Sequence, residues 1–272
     1  MHGPAVHTLL GMEIDESRLP LTEPAVRAAL DATGWHGPVP ALVTTTATAD
    51  ALAALLSESE AGGVLVAEQV SAGLGPVPHV PAGAALWVSS VVDVPSDVEE
   101  RRGWLAPAAA LAMVDALRDV ARVPAEITWP AGLTIPGAMC GGDAGTRALG
   151  TAEVAPHGEA GVVLTVGVLV SVGMLELPTR TTSVYADGGS IDRAALLAAY
   201  LPALDRHLEQ WRTDDPALAL GYRDRCQTLG RLVEVDGHEG RVRRVDEGGN
   251  LVVDVDGELR SISAAGTAPA LV

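Results

Sequence analysis

At 272 residues the chain has room for one large domain, or for one domain with a small satellite. It is 48% hydrophobic and 19% charged, which excludes a disordered chain. Its 18 basic residues against 35 acidic ones give a formal charge of −17, so repulsion excludes nucleic acid and anionic membrane surfaces as partners.

Every basic residue apart from histidine is arginine, and there is no lysine and no phenylalanine. No side chain can therefore serve as a lysine base, a Schiff-base amine or a lysine phosphate clamp. Cys140 and Cys226 lie far apart and form no CxxC pair, so neither a metal site nor a disulfide framework is expected. The opening MHGPAVHTLLGMEIDESRLP is broken by Gly, Pro and acids, unlike a secretory signal. No run reaches the ~18 apolar residues of a membrane span. A cytoplasmic protein with no membrane partner is the expectation.

Residues 1–40 read as a Pro- and Gly-rich segment with one short helix, EPAVRAALDAT, in which Pro24 suits the first turn. TTTATADALAALLSESE, from Thr44, offers a threonine cap and an apolar helical face. GGVLVAE reads as a central strand and AALWVSSVVDV as another. Trp104 to Val120 is apolar enough to be a helix buried on most sides. EITWPAGLTIPGAMCGGDAGTRALGTAEV reads as short strands between Gly-rich turns, and GVVLTVGVLVSVGML as one long buried strand. In SIDRAALLAAYLPALDRHLEQW, Ser190 takes the cap position, while Leu197, Tyr200, Leu201, Leu204, Leu208 and Trp211 share a face. Pro202 is expected to kink or restart that helix. PALALGYRDRC is a further short helix.

The texture changes at about Thr228. RLVEVDG, GRVRRVDE, NLVVDVDG and ELRSISA alternate apolar and polar residues between Gly-containing turns, and Asp256-Gly257 is the strongest hairpin signal. The expected class is α+β: a mixed sheet with helices over 41–226, preceded by the 1–40 segment and followed by a small β-barrel over 227–272.

Between the first two strands lies SAGLGPVPHVPAG, a glycine-bearing loop without arginine or lysine. Read alone it is an ordinary surface connection, and His79 a solvated loop histidine. The acids Glu99-Glu100 and Asp214-Asp215 read as solvated termini without pairing. No GxSxG elbow, P-loop or HExxH helix occurs, and His36, His79, His157, His207 and His238 share no ligand spacing.

From about Leu19 to near the C-terminus the order of elements resembles the biotin protein ligase family, in its short form without a DNA-binding domain. Thr181-Thr182-Ser183 stands where that family has Ala-Thr-Ser, followed by the helix ending EQWR and by YRDRCQTLGRLVEV entering the barrel. The resemblance implies a biotin/lipoate ligase-like sheet with an SH3-like C-terminal barrel. It also implies a reaction that uses ATP, Mg and biotin to make biotinyl-adenylate and passes biotin to a lysine of a carboxyl carrier domain. The family's Gly-Arg-Gly-Arg-Xaa-Gly-Arg loop corresponds to the stretch from Gly73, where Gly73 and Gly75 remain and the arginines do not. Lys-Trp-Pro-Asn-Asp corresponds to Thr128-Trp129-Pro130-Ala131-Gly132. The family lysine before Gly-Ile-Leu corresponds to Arg147, with Gly150 and Glu153 retained. Ser-Thr-Asn becomes Ala47-Thr48-Ala49, and Gly-Xaa-Gly-Xaa-Asn becomes Thr165-Val-Gly167-Val-Leu169.

Carried over position by position, the resemblance makes Arg147 the catalytic candidate. Thr48, Gln69, Gly73, Gly75, Trp129, Gly150, Glu153 and Gly167 become ligand-side candidates. Read from the residues alone, Trp129 is first a packing tryptophan, and Arg147 with Glu153 a surface ion pair. Three functions stand side by side. One is a ligase homologue impaired in adenylation, a pseudoenzyme that binds a carrier domain, a ligase partner or a small acid. The second is an active ligase or acyltransferase of altered substrate, or one using a preformed acyl-adenylate. The third is a structural partner in a heterodimer, with a homodimer through a sheet edge also open.

Overall fold

In the computed structural model the described residues are 7–9, 12–14, 18–37, 40–43, 63–70, 80–137, 145–158, 161–235, 237–264 and 270–271. The helix expected in 44–60 and the loop positions 71–79 lie outside them.

A two-stranded hairpin, β1 (His7–Leu9) with β2 (Met12–Ile14), precedes helix α1 (Glu23–Thr33). Pro24 sits in the first turn of α1, Thr22 caps it, and Gly34 ends it at φ 73°. The main sheet then collects β3 (Ala41–Val43), β4 (Val64–Ala67), β5 (Ala85–Asp93), β6 (Glu126–Thr128), β7 (Gly132–Ile135), β8 (Arg147–His157) and β9 (Gly161–Leu169). Its spatial order is β3-β4-β5-β9-β8-β7-β6, antiparallel except for the parallel pair β3 and β4.

Side chains alternate across this sheet. Leu86, Val88 and Val92 of β5 and Val162, Leu164, Val166 and Val168 of β9 face a large core shared with helices α1, α2 (Leu105–Ala116), α3 (Arg193–Arg212) and α4 (Pro216–Arg225). Ala85, Trp87, Val163 and Leu169 point the other way, into a smaller apolar cluster. The period of two in these strands is what separates the faces.

Several expectations need correction. VLVA is interior but lies second from the sheet edge, not at its centre. TRALGTAEV belongs to an eleven-residue strand, β8, because β9 pairs along it from Gly150 to His157 even where β7 has ended. The long run GVVLTVGVLVSVGML leaves the sheet at Leu169, and Met174 and Leu175 are exposed. Asp192, not Ser190, caps α3 by accepting from the Ala195 N–H at 2.9 Å. Pro202 does not break that helix: Leu197 and Leu201 before it and Leu204, Leu208 and Trp211 after it are buried in one core, which outweighs a lost hydrogen bond. Asp214 pairs with Arg101 at 2.6 Å, and Asp215 caps α4.

The C-terminal strands β10 (Leu232–Val235), β11 (His238–Val245), β12 (Leu251–Val255), β13 (Glu258–Ile262) and β14 (Ala270–Leu271) form an antiparallel sheet that fits an SH3-like unit. Asp256 and Gly257 both take positive φ, as a tight hairpin requires. This sheet is fastened to the main body at the turn between β11 and β12. Trp104 Nε1 donates to the carbonyls of Asp246 and Glu247, and Trp129 Nε1 to that of Gly249. A Cβ at Gly103 would stand 2.1 Å from the Gly248 oxygen, so only glycine permits this approach. Val233, Val242, Leu251 and Val253 extend the main core across the seam.

Candidate functional site

The face of the sheet turned away from the four helices carries the candidate site. Cross-strand pairing aligns Ala67, Trp87, Gly167, Thr151 and Gly132 in one row over β4, β5, β9, β8 and β7. The next row holds Leu65, Ser89, Thr165 and Glu153. Paired residues share a face, so two of the sequence candidates, Gly167 and Glu153, are brought together one row apart, about 7 Å along the strands.

Trp87 dominates the first row. Its indole covers Gly167 so closely that a Cβ there would lie 2.4 Å from a ring carbon. Trp87 is 1% exposed, with Ala67, Val70, Ala84, Leu169 and Val172 in the same cluster. Among the described residues its buried Nε1–H has no hydrogen-bond acceptor. An orphaned buried donor costs about 1–3 kcal/mol, so it marks a place where an acceptor would be welcomed. In the second row the Ser89 and Thr165 hydroxyls bond each other at 2.8 Å.

Glu153 is solvent-accessible but stands in a cleft of about 710 Å³, whose other walls include Gly132, Thr151, Arg102, Gly248 and Asn250. The cleft walls displace water around its carboxyl and push it above the usual carboxylate range. Arg147 opens β8 opposite Ile135 and is 9% exposed. Glu153 lies six residue steps further along the strand, about 20 Å away. The surface ion pair expected of these two is therefore absent: one is buried and the other is out of reach. Beside Arg147, Ala148 exchanges backbone hydrogen bonds with Arg180 and Thr182, so the Thr181-Thr182-Ser183 stretch is held against the start of β8.

The remaining candidates separate from this face. Gly150 pairs with Val168, and a Cβ there would meet the Gly167 oxygen at 2.2 Å, a packing reason for glycine. Trp129 is buried at the seam with the C-terminal sheet, its indole N–H committed to Gly249 at 3.1 Å. Gln69 turns its amide toward the Val80 carbonyl, at 3.4 Å, while its neighbour Val70 fills the apolar cluster. Thr48, Gly73 and Gly75 lie outside the described residues.

Sequence reasoning missed the ion pair behind the site. Glu68, at the end of β4, accepts from Arg193 at 2.9 Å and from the Leu21 N–H at 2.8 Å. Arg193 also donates to the carbonyls of Ala85 and Leu19. Both side chains are buried, so this arginine's charge is neutralised at the foot of the loop. Trp87 was missed as well; its only signal was a tryptophan at one of the outward positions of an alternating strand.

No protein-family model matches the chain. It is 33% identical over 268 residues to a biotin–[acetyl-CoA-carboxylase] ligase of Mycobacterium tuberculosis, covering 92% of this chain and 96% of that protein. The chain belongs to the biotin protein ligase family. Solved structures agree at the level of fold. The biotin protein ligase of Aquifex aeolicus superposes with a TM-score of 0.68 at 16% identity, covering 87% of this chain and 99% of that one. A biotin protein ligase-like protein of unknown function from a Silicibacter species does so at 0.63 and 17% identity, covering 84% and 95%. The mixed sheet and the C-terminal unit are those of this fold. Among the described residues, no helix is long and apolar enough to cross a membrane.

Proposed function

We propose that this biotin protein ligase homologue keeps the acid-binding face of the family and has lost efficient adenylation. It would act by binding biotin or a similar small acid, together with a carrier domain or a ligase partner. The observation that carries this reading is the loop from Ser71 to Gly83, which holds no arginine or lysine in a chain without any lysine.

Adenylation joins a carboxylate oxygen to the α-phosphorus of ATP and expels pyrophosphate. The charge that builds must meet fixed cations and backbone N–H groups in a dry site. Losing one such donor typically costs ~3–4 kcal/mol of barrier. Here Pro76, Pro78 and Pro81 remove backbone donors as well, and Arg193 is already paired with Glu68. The residues present do not fit a triphosphate with Mg. What they offer an apolar acid is a methyl-rich cluster, Ala67, Val70, Ala84 and Leu169, with the Trp87 Nε1–H as a donor to a carbonyl oxygen; the cluster is packed and buried, so a ring would enter only by displacing side chains there. The cleft at Glu153 leaves space beside the site for a carrier loop.

A second reading is favoured by Arg147, a buried and permanently charged cation at the family's lysine position. It makes the protein a ligase that accepts a preformed acyl-adenylate, since transfer needs less phosphate stabilisation than adenylate synthesis. Calorimetric titration with biotin and with a non-hydrolysable biotinyl-adenylate analogue separates the two. The first reading expects heat with biotin and no gain in affinity from the adenylate moiety. Markedly tighter binding of the analogue, lost in Arg147→Ala, would establish the second. No heat with either ligand would remove both.

A further inference from the structure

On the opposite face of the sheet, away from Trp87, a cavity of about 300 Å³ opens between β4, β5, the chain after α1 and the C-terminal half of α3. Its walls are apolar: Trp35, Val64, Leu201, Leu204 and Leu208. Ser90, 5% exposed, lines it with a hydroxyl that has no hydrogen-bond partner among the described residues. At the mouth stand two carboxylates, Asp93 and Asp205, and one guanidinium, Arg212, which already approaches Glu209 at 3.8 Å.

We infer that this cavity is a second binding site, for a small apolar molecule carrying a protonated amine. The volume is at the lower end of ligand pockets. An aromatic wall and two carboxylates against one partly engaged guanidinium select a cation over an anion. The buried Ser90 hydroxyl, unsatisfied among the described residues, supplies a further acceptor for an ammonium proton. Partial desolvation by the cavity wall pushes the Asp205 carboxyl upward, with the Arg212 charge working in the other direction; such a carboxylate gains by receiving a cation. Nothing in this site depends on the acid-binding face, so the two readings stand or fall separately.

Benzylamine is a suitable probe, with benzyl alcohol as its neutral counterpart, titrated into ¹⁵N-labelled full-length protein and followed by amide and indole NMR shifts. Saturable shifts centred on the Trp35 indole and the Ser90 amide are expected, weakened about tenfold for benzyl alcohol and for Asp205→Asn. Ser90→Val, which removes the hydroxyl with little change in volume, should weaken the amine more than the alcohol. Asp205 is exposed, so Asp205→Asn keeps the test valid if the Ser90 variant fails to fold. Absence of saturable shifts at Trp35, or equal affinity for amine and alcohol, would overturn the inference, as would shifts confined to the Trp87 face.

Discussion

Arg193 and Glu68 meet at 2.9 Å with neither side chain more than 8% exposed, tying the first residue of α3 to the last turn before the signature loop. Removing one partner leaves the other charge buried and alone. Arg193→Ala is expected to lower the unfolding free energy by about 3–5 kcal/mol, whereas the double variant Arg193→Met with Glu68→Leu should recover most of that loss. Urea unfolding of the three proteins measures it. A cost below about 1 kcal/mol for Arg193→Ala would mean that the pair behaves as if exposed.

Gly167 and Trp87 form a size-matched pair on the acid-binding face. Gly167→Ala places a methyl 2.4 Å from the indole, so the ring must move, at an expected cost of about 1–3 kcal/mol. Trp87→Leu should absorb that methyl, so the two substitutions should be strongly non-additive in a double-mutant cycle. Additive effects would show that the indole does not rest on Gly167. Biotin heat in calorimetry should fall in both single variants.

Asp115 on α2 accepts from His207 at 3.0 Å and from Arg206 at 2.8 Å, both on α3. Burial alone would raise this carboxyl, but the His207 hydrogen bond and the charges of His207, Arg206 and Arg225 outweigh it and hold it below the usual range. A folded-state value below the unfolded one stabilises the protein above the ordinary carboxylate range, and the stabilisation is lost as pH falls through the folded value. The stability difference between the native protein and Asp115→Asn should therefore be present at about pH 5 and shrink on further acidification. A difference unchanged down to about pH 3 would contradict the coupling.

Much of this architecture is written locally. The alternation in AALWVSSVV and in GVVLTVGVL separates the two sheet faces because the strand period is two, and Asp256-Gly257 marks a turn that only positive φ can make. The site is written less locally. Gly167 meets Trp87 across 80 residues of chain, and Glu68 meets Arg193 across 125, so neither pair leaves a pattern in any short window. Pro202 misled for a related reason: its local effect on a helix is real, but the core packed on either side of it decides the outcome. Arg147 and Glu153 look like neighbours in TRALGTAE, yet an extended strand sets them about 20 Å apart.

Biotin-dependent exchange of labelled pyrophosphate into ATP reads adenylate formation alone, without need of a carrier protein, and is the most direct test of lost adenylation. Exchange no faster than a protein-free blank is expected, even at saturating biotin, ATP and Mg. Exchange that requires both biotin and the folded protein would contradict it, and would mean that this loop holds a triphosphate without arginine or lysine.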